Sequence, residues 1–191
     1  MKLSKTSNVV LASRDIETLN LISNEINSNG GSSIAVKTDV TSLDSCNNMI
    51  KESIRAFGKI DSLILNAGIS MWARFDNITD ISLFHKINEI NYQGSVNCVY
   101  ASIDELKKNN GQIVAITTAQ ALMGFPNASA YSASKHALHG FLETLQMELG
   151  STISVSNVYL GWIKGTNLRA NALGPNGKKL GIATISIVVG R

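Results

Sequence analysis

The stretch Asn8-Val9-Val10-Leu11-Ala12-Ser13-Arg14-Asp15 decides the fold class. Asn8 to Ala12 is a short apolar, β-branched run closed by Ser13-Arg14-Asp15, the pattern of a strand buried on both faces that leads into a helix. Asp15 can cap that helix, whose apolar positions Ile16, Leu19, Leu21, Ile22 and Ile26 recur at helical spacing until Asn29-Gly30-Gly31 stops it. Strand followed by helix is therefore the first unit.

Downstream, the unit repeats. A strand is expected over Ser33 to Lys37, then a turn at Asp39 to Thr41 and a helix from about Ser42 to Phe57 with Gly58 as its stop. A third strand, Ser62 to Leu65, runs into Asn66-Ala67-Gly68. After a loop holding Met71, Trp72 and Phe75, a long helical stretch spans about Ile81 to Lys108 and ends at Asn109-Asn110-Gly111. Strand Gln112 to Thr117, a loop through Gly124 and Pro126, a helix from about Ala130 to Leu149 and strand Ile153 to Tyr159 complete the pattern before a Gly/Asn-rich tail. Strands separated by helices require crossover connections, so the expectation is an α/β fold with a doubly wound, Rossmann-like parallel sheet. No internal repeat interrupts it, and residues 1–191 read as a single domain.

Composition narrows the function. The chain is 44% hydrophobic and 16% charged, and a domain of 191 residues can bury roughly 70% of its unfolded surface without a disulfide or structural metal. Its 17 basic and 14 acidic residues form no dense basic stripe, which argues against a nucleic-acid partner. Cys46 and Cys98 belong to no CxxC pair and read as buried thiols of a reducing compartment. The start resembles no signal peptide, and the late apolar run Ile182 to Val189 falls short of the roughly 20 residues of a membrane span. A cytoplasmic protein without a membrane span is expected.

The chemistry concentrates in Tyr131-Ser132-Ala133-Ser134-Lys135. Positions i and i+4 share a helix face, so the Lys135 ammonium can approach the Tyr131 phenol and favour phenolate, bringing a group that titrates near about 10 toward neutral pH. A solvated Tyr/Lys face is the alternative for this pair alone. Thr118 lies thirteen residues earlier, at a strand end on the carboxyl edge of the sheet where open α/β folds bind ligands. His136 and His139 follow Lys135 at three-residue spacing without a third ligand, and no metal is expected.

Together, Asn66-Ala67-Gly68, Asn91-Tyr92-Gln93-Gly94, Thr117-Thr118 and the Tyr131 to Lys135 segment resemble the short-chain dehydrogenase/reductase family in order and spacing, from Asn8 to about Leu180. The segments NAGISMWARF and YSASKHALHGF look most like its DHRS7-like branch. The resemblance implies a catalytic set in which Tyr131 is the general acid/base, Lys135 lowers its pKa and binds the nicotinamide ribose, and Asn91 holds a water of a proton relay. Thr118 stands where the family usually has serine, keeping the hydroxyl while adding a methyl.

Arg14 at the end of the first strand, in place of an acid, favours NADP over NAD, because a guanidinium pairs with the extra phosphate; Asp15 could partly neutralise it. The resemblance places Asp39 and Val40 at the adenine, and Asn66, Ala67 and Gly68, with Tyr131 and Lys135, against the cofactor; a helix cap is an equal account of Asp39. Gly161 and Ile163 would cover the nicotinamide, although Leu160 stands where the family has proline and Thr166 is displaced by one position. The family's opening strand and Gly-rich phosphate turn have no counterpart in the sequence, so the expected domain is incomplete at its start, and its end is expected to be cut short too. The strand Asn8 to Ala12 must then pair directly with Ser62 to Leu65, be completed by another chain, or leave an open edge.

Two functions remain in view. One is an NADP-dependent oxidoreductase acting on a small-molecule carbonyl or secondary alcohol, as a homo-oligomer, dimer or tetramer, paired through the helices at 81–108 and 130–149. The other is a catalytically silent relative with impaired cofactor binding.

Overall fold

The computed structural model describes residues 3–161 and 170–181. Five strands alternate with helices: β1 (Asn8–Ser13), α1 (Ile16–Ser28), β2 (Ser32–Lys37), α2 (Leu43–Phe57), β3 (Ser62–Leu65), α3 (Ser82–Asn88), α4 (Gly94–Lys108), β4 (Gln112–Thr118), α5 (Ser129–Leu149) and β5 (Ser154–Leu160). All three strand ladders are parallel. This is the expected Rossmann-like α/β architecture.

Local signals set the ends of the elements. Asp15 caps α1 by accepting the Thr18 amide at 3.1 Å and the Thr18 hydroxyl at 2.7 Å. Ser42 caps α2 through the Ser45 amide, and Gly58 closes it at φ +78°, a left-handed conformation that glycine reaches without a Cβ penalty. The long stretch after residue 81 is not one regular helix: a π turn over Glu89–Gln93 separates α3 from α4. Such turns widen the ladder by one residue and re-aim a side chain.

The ladder breaks in the middle. Strand β1 pairs only with β2, and β3 pairs with β4, which pairs with β5; among the described residues no ladder joins β1 to β3. Of the three arrangements open to β1, the chain by itself adopts the open edge. Helix α2 lies against β1 and β2, α4 lies against β3, and α2 packs on α4. The helices thus bridge the two sheet segments where the strands do not. Ile64 of β3 is 49% exposed.

The two sheet segments nevertheless share one core. Val36, Leu63, Leu65, Ile113 and Ala115 from the strands meet Met49, Ile50, Val99, Leu106, Leu138 and Leu142 from the helices. A second cluster, Met71, Leu83, Ile87, Ala130, Tyr131 and Leu173, sits below the carboxyl edge. Cys46 and Cys98, distant in sequence, bring their sulfurs to 3.8 Å inside the first core. Among the described residues no helix is long and apolar enough to cross a membrane.

Candidate active site

Three chain ends converge at the carboxyl edge: the residues after β3, the end of β4, and the first turns of α5. The π turn aims Asn91 inward, where it is fully buried. Its Oδ1 accepts the Ile69 amide at 2.8 Å, and its Nδ2 donates to the Ile69 carbonyl at 2.9 Å and to the Ser134 hydroxyl at 3.0 Å. Ser134 Oγ in turn donates to the Tyr131 carbonyl at 2.8 Å. One amide side chain thereby ties the Asn66-Ala67-Gly68 end of β3 to the helix that carries Tyr131 and Lys135.

Met71 makes a second tie. Ala128, at the start of α5, provides no side-chain cap, and the Ala130 amide donates to the Met71 thioether at 3.2 Å instead. Ser134 is not singled out by the sequence, and Met71, a candidate for an apolar pocket wall there, instead holds the start of α5. The position of Ser134 three residues after Tyr131, on the same helix face, was the available signal; that of Met71 depends wholly on tertiary contact.

Tyr131 and Lys135 are 8% and 5% exposed. The Lys135 Nζ lies 6.0 Å from the centroid of the Tyr131 ring. Burial pushes the Tyr131 phenol up from its ordinary value and draws the Lys135 ammonium down to about 8. At this separation the cation does not offset desolvation, so the lowering of the phenol expected from helix spacing is not realised in the chain alone.

Thr118 ends β4 and turns the chain into the short helical turn Ala119–Ala121, which packs on α5; its hydroxyl accepts the Gln120 amide at a long 3.5 Å. That weak contact leaves the half-buried hydroxyl able to serve a ligand. The neighbouring Thr117 Oγ1 is buried without a hydrogen-bond partner.

A second group of expected residues gathers at the tips of β1 and β2. Arg14 is exposed, and its charge helps hold the Asp39 carboxyl below the usual range, after the larger effects of the Thr41 amide and hydroxyl, which bond Asp39 at 3.0 and 2.8 Å. The Asp15 carboxylate is engaged by Thr18. The helix cap is Ser42, which leaves Asp39 to shape the turn before it. Val40 sits directly on α4: Asn97 donates to its carbonyl at 2.9 Å, and a Cβ added at Gly94 would fall 2.6 Å from its Cγ2.

Gly161 follows β5 with open space about its Cα, whereas Ile163 lies outside the described residues. The aromatic loop divides by depth. Met71 is 1% exposed, Trp72 meets Phe125 at 6.4 Å, and Phe75, 66% exposed, packs edge-on against Phe84. Phe75 and Phe125, with Arg74, Asp76 and Pro126, line a hollow of about 440 Å³. His136 contacts the Ser132 carbonyl, and His139 contacts Tyr159 and Glu143; the two do not converge.

The residues at the carboxyl edge fit the ribose end of a dinucleotide. The Lys135 ammonium, buried, donates no hydrogen bond to any described residue. A Cβ at Gly68 would come 3.2 Å from Asn91 Oδ1 and 3.7 Å from Lys135 Nζ, so only a bare backbone leaves room beside these polar atoms.

Comparison with known proteins agrees. The family model described as short chain dehydrogenase matches residues 2–175. The 11-beta-hydroxysteroid dehydrogenase-like 3 of Arabidopsis thaliana is 41% identical over 131 residues, covering 69% of this chain and 42% of that protein. The chain thus spans less than half the length of this curated relative. An alcohol dehydrogenase from the archaeon Thermococcus sibiricus, solved with 5-hydroxy-NADP, superposes with a TM-score of 0.76 at 21% identity, over 91% of this chain and 77% of that one. A short chain dehydrogenase/reductase from Burkholderia phymatum, solved with NAD, gives 0.74 at 24% identity, over 78% and 55%. These two likenesses concern the fold.

Proposed function

This chain belongs to the short chain dehydrogenase family, and on that premise we propose that it is an NADP-dependent oxidoreductase interconverting a carbonyl and a secondary alcohol, with Tyr131 as general acid/base. The observation that carries this reading is the buried Lys135 ammonium, without an acceptor among the described residues, one helical turn from the Tyr131 phenol and beside the bare Gly68 backbone.

The dinucleotide, when bound, supplies or accepts the hydride. Tyr131 delivers the proton to the carbonyl oxygen or takes it from the alcohol. Lys135 would hold ribose hydroxyls, and its charge favours the phenolate side as the proton leaves. Thr118 orients the substrate oxygen through its weakly engaged hydroxyl. Asn91 keeps Gly68 and α5 in register, and its place beside Lys135 suits a water-mediated proton path. Asn66, Ala67 and Gly68 would lie along the cofactor, Asp39 and Val40 would bound the adenine, and Gly161 would lie beside the nicotinamide.

NADP is favoured over NAD by Arg14, whose guanidinium is exposed while the neighbouring carboxylate of Asp15 is spent on Thr18. The curated relative carries an 11-beta-hydroxysteroid dehydrogenase name rather than a DHRS7-like one. Together with Trp72, Phe75 and Phe125 at the rim, that supports a flat, apolar alcohol or ketone of steroid-like size as substrate. Homo-oligomerisation through α4 and α5 is supported by Tyr100 and Met147, 70% and 79% exposed on those helices.

Fluorescence titration with NADPH and NADH tests the reading. Saturable NADPH binding is expected, at least about 10-fold tighter than NADH, a difference of about 1.4 kcal/mol, and Arg14→Ala should erase the preference. Absence of NADPH binding up to about 1 mM would leave the silent relative as the better account.

A further inference from the structure

Cys46 and Cys98 carry an inference independent of the proposed reaction. They stand on different helices, α2 and α4, 0% and 6% exposed, with Sγ atoms 3.8 Å apart. The sulfurs need to close by only about 1.8 Å to reach the disulfide length of roughly 2.05 Å. We propose that this pair is a redox-responsive brace: a hydroperoxide converts it to a disulfide that joins α2 to α4 behind the Asp39-Val40 turn.

The two thiols are not equivalent. Cys46 sits in the first turn of α2, its amide bonded to the carbonyl of the Ser42 cap, where the helix dipole favours a thiolate. Contact with Cys98 draws the Cys46 thiol down against the opposing effects of burial and the Asp39 charge, while contact with Cys46 and burial push Cys98 up. Cys46 is thus the attacking sulfur and Cys98 the resolving one. Cys46 gives up its proton and the thiolate attacks the peroxide; an S–O bond forms, the O–O bond breaks, and with hydrogen peroxide the departing hydroxide takes up that proton and leaves as water. Cys98 then attacks the sulfenic sulfur; the S–S bond forms, the S–O bond breaks, and the hydroxide departs with the Cys98 proton as a second water. Two thiols lose two electrons and two protons, and the peroxide is reduced.

The location gives the crosslink a consequence. Cys46 Sγ lies 3.7 Å from the Val40 carbonyl, which also accepts from Asn97 one position before Cys98. Closing the bond would fasten together the turn, the start of α2 and the second turn of α4, across the region where the sheet ladder is interrupted. Both sulfurs are buried, so the reaction proceeds through local opening of the α2 start and is slow compared with that of an exposed thiol.

The test is intact-mass analysis of the reduced full chain before and after about 1 mM hydrogen peroxide. Expected are a mass loss of about 2 Da, disappearance of both alkylatable thiols, a Cys46–Cys98 crosslinked peptide, and a melting temperature about 5 °C higher that returns on reduction. Cys46→Ala and Cys98→Ala should each abolish the crosslink. Mass gains of about 16 or 32 Da without it, disulfide-linked dimers, or two thiols still alkylatable after unfolding would overturn the proposal. None of these readouts requires cofactor binding or turnover.

Discussion

Asn91 holds both backbone polar groups of Ile69, accepting from its amide at 2.8 Å and donating to its carbonyl at 2.9 Å, as a neighbouring strand would. The residue after Gly68 thereby leaves β3 without an unsatisfied amide, and the remaining Asn91 hydrogen reaches Ser134 on α5. Asn91→Ala would strand these groups in a fully buried place, at a cost of about 2–4 kcal/mol in urea denaturation. A loss below about 1 kcal/mol would mean that water replaces the side chain.

Lys135 makes folding depend on pH in the alkaline range. Its pKa falls from 10.5 unfolded to about 8 folded, so between these values the unfolded chain binds more protons and stability rises with pH. Burying the charge costs roughly 3 kcal/mol at neutral pH. Tyr131, whose pKa is raised, acts oppositely above about 10. Lys135→Met should stabilise the chain at pH 7 by about 1–3 kcal/mol and flatten the rise between pH 8 and 10, read from chemical denaturation at several pH values.

Gly94 lies against the stiff, β-branched Val40. Alanine is intrinsically better in a helix by about 1 kcal/mol, yet its Cβ would fall 2.6 Å from Val40 Cγ2 and 3.0 Å from Val40 Cβ. Gly94→Ala is therefore expected to destabilise by about 1–3 kcal/mol and to weaken NADPH binding by displacing the Asp39-Val40 turn. Unchanged stability would show that the turn yields without cost.

The Tyr131 hydroxyl makes no hydrogen bond to a described residue; the ring alone packs, in the cluster with Met71 and Leu83. Tyr131→Phe should cost less than about 0.5 kcal/mol of stability while lowering turnover of a secondary alcohol at least about 100-fold. Unchanged turnover would assign the proton transfer to another group.

The alternation of elements was legible because each carries its own period and its own stop. Asp15 caps α1 as its position suggests, and Ser62 to Leu65 is a strand over the expected residues. The π turn was not legible, since Glu89 to Gln93 has no local signature and its geometry answers to the Ile69 backbone 22 positions away. The Tyr131/Lys135 pair illustrates the same limit: i, i+4 spacing brings the groups near, but only depth of burial decides which electrostatic effect wins.

By itself the sequence determined the parallel α/β layering, the ends of most helices and the Tyr131/Lys135 pairing on one helix face, because these follow from hydrophobic period, capping and chain order. Tertiary structure alone decided the open edge of β1, the thioether bond beneath α5, the Asn91–Ile69 clasp and the meeting of Cys46 with Cys98. Each of those joins residues far apart along the chain, and the distance between them is set by how helices and strands pack, a quantity that no local pattern encodes.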